Sequence, residues 1–95
     1  MFVENVPKTI SNVEYCKQVI RSSGSVGANY IEANESLSKK DFVMRAKICR
    51  KEAKESGYWL KLISCNQESE NQKEKLIQEA TELTKIFGAI ITKSE

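Results

Sequence analysis

Small and apolar residues in the middle of the chain recur with alternating steps of four and three. The positions are Phe42, Ala46, Cys49, Ala53, Ser56, Leu60 and Ile63. This spacing is that of a heptad seam, which turns one stripe of an α-helix toward a neighbouring helix. A second seam follows through Leu76, Ala80, Leu83, Phe87 and Ile90. Two helices that each present one such stripe predict bundle packing, with crossing angles near ~20°.

Three capping-box patterns indicate where helices begin. Each pairs a serine with a carboxylate or amide three residues later, and they are Ser11 with Glu14, Ser38 with Asp41 and Ser69 with Gln72. They predict helices at about residues 12–35, 39–65 and 70–92. A chain of 95 residues has the size of one domain. We therefore expect a single all-α domain over residues 1–95, an antiparallel up-down helix bundle of about three long helices.

The first predicted helix contains internal glycines. Its predicted inward stripe is Val13, Cys16, Ile20, Gly24, Gly27 and Ile31. Each glycine inside a helix costs up to about 1 kcal/mol relative to alanine, so a structural reason is expected. Close packing of a neighbouring backbone against this stripe is the simpler hypothesis. A segment that bends or opens around a ligand is the alternative.

The composition argues against catalysis and metal binding. The chain has no histidine, the commonest general base and metal ligand. Its three cysteines, Cys16, Cys49 and Cys65, have no zinc or disulfide spacing, and free thiols indicate the cytoplasm. Glu32 and Glu35 lack the histidines of a di-iron motif. We expect the protein not to be an enzyme and to have no cofactor, metal or small-molecule substrate. We also expect no signal peptide, and no apolar run approaches membrane-spanning length.

Positive charge is concentrated in the first two thirds of the chain. Residues 1–61 hold eleven Lys and Arg against seven Asp and Glu, whereas residues 62–95 hold four against six. The candidate nucleic-acid-binding residues come from the densest stretch and are Lys39, Lys40, Lys47, Arg50, Lys51 and Lys54. Such asymmetry is typical of a protein with an anionic partner, RNA or DNA, but a solvated helix face gives the same pattern and is the simpler interpretation. Tyr58 and Trp59 suggest base stacking, but Trp59 flanks the seam and is better explained as a packing anchor.

Arg21, Asn29 and Glu32 are spaced to lie near one edge of the first helix. A polar network of this kind fixes helix register when every donor and acceptor is matched. We interpret the three as a structural network, with a ligand-binding cluster as the alternative.

Residues 18–62 resemble the small bacterial four helix bundle protein family, which includes proteins encoded in intervening sequences of 23S rRNA genes. The markers are Arg21, the serines at 22, 23 and 25, Asn29, Ile31, Glu32 and the helix entry Ser38–Phe42. The resemblance implies an antiparallel four-helix bundle and a homo-oligomer, pentameric in relatives. Distant relatives resemble basic, nucleic-acid-binding accessory proteins of retroelements. No catalytic residues are assigned to the family.

The chain departs from the family pattern before Pro7, where relatives have an amphipathic helix. Only the stretch 1–6 stands there, and Phe2, Val3 and Val6 look like the tail of that helix. Most of the first family helix is thus expected to be missing, which leaves an apolar groove that self-association would cover. Two functional hypotheses follow: a nucleic-acid-binding oligomer, or a scaffold whose groove receives a partner helix. A chain without a selected activity is a third possibility.

Overall fold

The computed structural model describes residues 2–95 and consists of three long helices preceded by one short turn of 3-10 helix. The 3-10 turn is Phe2–Glu4, and the long helices are α1 (Ile10–Asn34), α2 (Lys39–Leu62) and α3 (Gln67–Ser94). Short connections make neighbouring helices antiparallel. Because the long helices lie side by side, the molecule is elongated, 45 × 19 × 17 Å. The all-α bundle predicted from the sequence is confirmed.

Side chains at the helix starts confirm one predicted cap and correct two. Ser38 accepts a hydrogen bond from the backbone N–H of Asp41 at 3.1 Å, as its capping box predicts. The prediction for Ser11 is wrong, because Thr9 caps α1 by accepting from the Asn12 N–H at 3.0 Å. The prediction for Ser69 is also wrong, because Asn66 caps α3 and accepts from the Ser69 N–H. Both helices therefore begin two or three residues earlier than predicted.

Helix α2 is the centre of the bundle and packs against both α1 and α3. The predicted seam of α2 is its buried stripe: six of its seven members are buried, and Phe42 is half-buried. Gly57 continues this contact surface, and a Cβ built on it would lie 3.4 Å from the Cβ of Ala80. On α3, Ala80, Phe87 and Ile91 are buried, whereas Leu83 is 40% exposed.

The predicted inward stripe of α1 is wrong. Ile20 and Ile31 are 59% and 62% exposed, and an added Cβ at Gly24 or Gly27 would meet nothing within 4 Å. Close packing within the chain therefore does not explain the two glycines. The face of α1 that meets α2 is more polar, with Ser22 fully buried. Its hydroxyl lies 2.7 Å from that of Ser56 on α2, and this hydroxyl pair joins the two helices.

A groove lies between α1 and α3, with α2 as its floor. One end is closed by the N-terminal segment, whose Phe2 and Val6 are buried against Leu60 and Ile63. Beyond this plug the groove is open, apolar and about 240 Å³ in volume, with Val26, Leu60 and Leu83 among its walls. The expected uncovered groove is therefore present. The two helices meet across it through the rings of Tyr30 and Phe87, whose centroids are 6.1 Å apart.

Asn12 holds the closed end of the bundle together. Its side chain is buried, and the amide nitrogen donates to the carbonyl oxygens of Pro7 at 2.9 Å and Ser64 at 2.7 Å. Its Oδ1 accepts from the Ser64 N–H at 2.9 Å. One amide thus ties the N-terminal segment and the start of α1 to the chain that follows α2. No sequence pattern predicts this role for Asn12.

Candidate nucleic-acid interface

The six candidate cations share one outer face of α2. An α-helix turns by about 100° per residue, so their positions fall within an arc of about 120°. We call this the basic arc, and its predicted members are Lys39, Lys40, Lys47, Arg50, Lys51 and Lys54, all exposed. The same geometry adds Lys61, which follows Lys54 by seven residues and is also exposed. The acidic residues of α2, Asp41, Glu52 and Glu55, project outside the arc.

Arg21 accounts for the orientation of two of those acidic residues. From α1 its guanidinium reaches Glu52 at 3.3 Å and Glu55 at 3.5 Å, so both carboxylates are directed toward α1. Glu52 is nearly buried in this contact, with 8% of its side chain exposed. The consequence for the outer surface is a helix face that carries cations without intervening carboxylates.

Two shallow grooves run along the basic arc and share Lys51. The first lies near the start of α2, and its cations are Lys39, Lys40, Lys47 and Lys51. Two acidic residues, Asp41 and Glu95, also line it, together with Ser94 and the apolar residues Val43, Met44 and Ile48. The second, of about 800 Å³, lies between α2 and α3 and is lined by Arg50, Lys51, Lys54 and Lys61 from α2. From α3 it receives Thr81, Thr84 and Lys85. We call this second groove the α2–α3 groove.

Sequence reasoning did not place Lys61, Lys85 or Tyr58 in the α2–α3 groove. Tyr58 lines the groove and is 57% exposed. Heptad spacing from Lys54 could have found Lys61. Lys85 lies on another helix, and only the packing of α3 against α2 brings it to this surface.

Most cations of this surface have no carboxylate partner. Lys47 lies 3.6 Å from Glu95, and Lys51 lies 3.9 Å from Glu52. Within residues 2–95, no salt bridge involves Lys39, Lys40, Arg50, Lys54, Lys61 or Lys85. A surface of clustered, unneutralised cations attracts polyanions over several ångströms and concentrates them at the face.

The predicted polar network is divided into separate contacts. Arg21 binds Gln18, Glu52 and Glu55. Asn29 is not joined to it, because its Oδ1 accepts from Arg45 of α2 at 3.0 Å and its amide donates to Ser25. The Glu32 carboxylate is exposed and contacts neither. Arg21 and Asn29 each link α1 to α2, whereas Glu32 lies outside the network.

Metal ligands, thiols and Trp59 are the remaining candidates for site chemistry. Within the described part of the chain, no group of three or more His, Cys, Asp or Glu side chains is placed to hold a metal ion. Burial raises the pKa of Cys16, Cys49 and Cys65, which favours the thiol over the nucleophilic thiolate at each position. Trp59 packs between Tyr15 and Tyr58, with ring centroids 6.0 and 5.0 Å away. None of the helices formed by residues 2–95 is long and apolar enough to cross a membrane.

Known proteins resemble this chain in sequence and in fold. The family model described as 23S rRNA-intervening sequence protein matches residues 2–89. A crystal structure of a protein of unknown function from the S23 ribosomal protein family of Bacteroides thetaiotaomicron VPI-5482 is 33% identical. The match covers 88% of this chain and 75% of that chain, with a TM-score of 0.71. No curated protein matches the chain.

Proposed function

Because the chain belongs to the 23S rRNA-intervening sequence protein family, we propose that it is a non-enzymatic cytoplasmic protein that binds RNA or DNA through the basic arc of α2. The observation that carries this proposal is the continuity of the two grooves through Lys51, with cations on both sides and few carboxylates to neutralise them. The description of the family names no activity, and the structural neighbour is of unknown function.

Phosphate contacts would provide most of the affinity. Each phosphate that a lysine or arginine neutralises releases condensed counterions, so the observed affinity falls steeply with salt. The side chains of the α2–α3 groove suit this role, since the cations Arg50, Lys54, Lys61 and Lys85 surround it and can each contact a phosphate. Association of several copies would multiply a modest contact into a larger basic surface.

Tyr58 supports a nucleic acid that contains unpaired bases. Its ring lies in the α2–α3 groove among the cations and is more than half exposed. A base that stacks on such a ring contributes about 1–3 kcal/mol, whereas a base in a duplex is already stacked. Structured RNA with loops is therefore the expected ligand in preference to plain duplex DNA.

The test is fluorescence anisotropy with a hairpin RNA and a duplex DNA, each measured at several salt concentrations. We expect binding at low salt and a linear fall of log affinity with log salt. Replacing Arg50, Lys54 and Lys61 with glutamine should reduce the magnitude of that slope by roughly 2–3 on duplex, since each phosphate contact contributes about 0.9. Tyr58→Leu should weaken the hairpin more than the duplex.

A matched control removes the same charge from elsewhere. Lys8, Lys75 and Lys93 are exposed and lie outside the basic arc. Their triple replacement by glutamine should leave the slope almost unchanged. Equal losses in both triple variants would mean that net charge alone governs binding, and no binding at low salt would end the proposal.

The apolar groove between α1 and α3 favours a second candidate, a scaffold that binds a partner helix. An amphipathic helix can place its apolar side in such a groove. This candidate predicts that a captured protein partner survives nuclease treatment and moderate salt. Loss of every partner on nuclease treatment would favour nucleic-acid binding.

A further inference from the structure

The α3 wall of the α2–α3 groove carries two threonines, Thr81 and Thr84, together with Lys85. Residues three and four positions apart lie on one side of a helix, so α3 presents the three side chains to the groove together. A threonine hydroxyl stands on a short side chain, whereas the ammonium group of a lysine stands on a long one. The two hydroxyls therefore lie closer to the helix than the charged end of Lys85.

Both threonine hydroxyls already donate a hydrogen bond within α3. Thr81 Oγ1 donates to the Ile77 carbonyl oxygen at 3.0 Å, and Thr84 Oγ1 donates to the Ala80 carbonyl oxygen at 2.8 Å. A hydroxyl has one proton and two lone pairs, so each oxygen offers only lone pairs to the groove. Donation to a phosphate oxygen would first require one of these two hydrogen bonds to break.

The charged groups of the groove have the opposite hydrogen-bonding character, since lysine and arginine side chains donate and cannot accept. They are Arg50, Lys51, Lys54 and Lys61 on α2 and Lys85 on α3. In the part of the chain that the structure describes, no Asp or Glu lines this groove. The groove thus combines donors that suit phosphate with two neutral acceptors on the α3 wall, and a matching ligand must itself donate a hydrogen bond near its phosphates.

Small residues form the floor of the groove between the two helices. Ala53, Gly57 and Ala80 are buried and line the groove. A Cβ built on Gly57 would lie 3.4 Å from the Cβ of Ala80, so α2 and α3 approach each other closely at this point. A floor without long side chains leaves room for a sugar to lie against it, beside the threonine oxygens.

A nucleic-acid backbone offers a hydrogen-bond donor only when it contains ribose. Phosphodiester oxygens accept hydrogen bonds and match the cations, but the sugar of a DNA strand has no hydroxyl to donate. The ribose 2′-hydroxyl both donates and accepts, and it is the group by which proteins distinguish RNA from DNA. An amino group on a base edge is the other donor that a nucleic acid carries, so the experiment must separate sugars from bases.

We infer that Thr81 and Thr84 accept hydrogen bonds from ribose 2′-hydroxyls and thereby make the α2–α3 groove selective for RNA over DNA. This inference rests on the proposed nucleic-acid binding and narrows its ligand to one class. The cations bind the phosphates, Tyr58 stacks on a base, and the threonines contact the sugars. Phosphate contacts and stacking are available to both nucleic acids, so the threonines alone in this arrangement depend on the 2′-hydroxyl.

Three hairpins of identical sequence test the sugar contact by fluorescence anisotropy at one low salt concentration. One is RNA, one is RNA with fluorine in place of every 2′-hydroxyl, and one is DNA. Fluorine keeps the sugar pucker of ribose but cannot donate a hydrogen bond. We expect the RNA hairpin to bind about tenfold more tightly than either of the others, the modest gain that two neutral hydrogen bonds provide.

Replacing Thr81 and Thr84 together with valine removes both oxygens and keeps the side-chain shape. Valine and threonine have similar helix propensities, so α3 should be preserved. The valine variant should bind the RNA hairpin as weakly as the fluorinated one and should bind the fluorinated hairpin as the native chain does. Replacing both threonines with serine keeps the hydroxyls and should retain the preference for RNA.

Thr92→Val is the matched control. The Thr92 hydroxyl donates to the Gly88 carbonyl oxygen at 3.1 Å, which is the same kind of bond on the same helix, but Thr92 does not line the α2–α3 groove. This variant should leave the affinities for all three hairpins unchanged.

Equal affinity of the native chain for the RNA and fluorinated hairpins would overturn the inference and leave the proposed function intact. A preference for RNA that persists in the valine variant would also overturn it, because another group would then contact the sugar. Loss of affinity for all three hairpins alike in the valine variant would assign the threonines to bases and refute the sugar contact. Absence of binding to every hairpin would end the proposed function itself and this inference with it.

Discussion

Asn12→Ala is expected to destabilise the protein by about 2–3 kcal/mol. The native side chain is buried and makes three hydrogen bonds: two donated to the Pro7 and Ser64 carbonyls and one accepted from the Ser64 N–H. Each bond contributes about 1 kcal/mol net, and a group left without a partner costs more. Pro7 and Ser64 are themselves exposed, so water can replace part of the loss. This hydration offsets the extra cost of unpaired groups, so the expected loss of stability stays near the sum of the three hydrogen bonds.

Asn12→Asp gives a sharper test of the same contact. The carboxylate keeps an acceptor for the Ser64 N–H but places negative charge against two carbonyl oxygens. We expect it to be at least as destabilising as alanine at pH 7. Stability should return partly on acidification, because a protonated carboxyl can donate one hydrogen bond.

Urea unfolding followed by far-ultraviolet circular dichroism measures both variants. Asn71→Ala is the control, since Asn71 is an exposed helical asparagine and should shift stability by less than about 0.5 kcal/mol. If Asn12→Ala falls within the same limit, the amide does not hold the closed end of the bundle together, and the reasoning is refuted.

Three further outcomes are expected. Ser22→Ala and Ser56→Ala should each lower the free energy of unfolding by about 1 kcal/mol, because their hydroxyls form a hydrogen bond at 2.7 Å. A double-mutant cycle should give a coupling energy above about 0.5 kcal/mol, and strict additivity would contradict this. Arg21→Met should lower the urea midpoint, because it leaves the nearly buried Glu52 without its guanidinium partner. Adding Glu52→Gln to this variant should restore part of the midpoint, and no restoration would mean that Arg21 acts only by packing. Burial raises the pKa of Cys49, so the folded thiol holds its proton to higher pH than the unfolded one. Stability should consequently fall as the pH rises above the ordinary thiol value of about 8.5, and Cys49→Ala should reduce that fall; an equal fall in both proteins would assign it to other groups.

The sequence predicted α2 well because this helix has one buried stripe and packs on both sides. Its seam from Phe42 to Ile63 is continuous, and no second apolar stripe competes with it. The basic arc could be read from the same helix, because cations at fixed spacing on a helix of known orientation share a face. Lys85 could not be included, since its contribution depends on where α3 lies.

Helix α1 shows where periodicity alone is insufficient. The exposed stripe of α1 with Ile20 and Ile31 has the better heptad pattern, yet the chain buries the more polar side that carries Ser22. Hydrogen bonds to α2 make that side compatible with burial, and they depend on residues between 16 and 34 positions away. Local spacing contains no information about such partners.

What the sequence alone determined is the set of helices, their antiparallel order and the charge of the outer face of α2. These follow from interactions between residues a few positions apart. Which stripe of α1 is buried and where Asn12 anchors the chain were decided only by the tertiary structure. Those choices rest on contacts between distant residues, and their free energies exist only once the helices have packed.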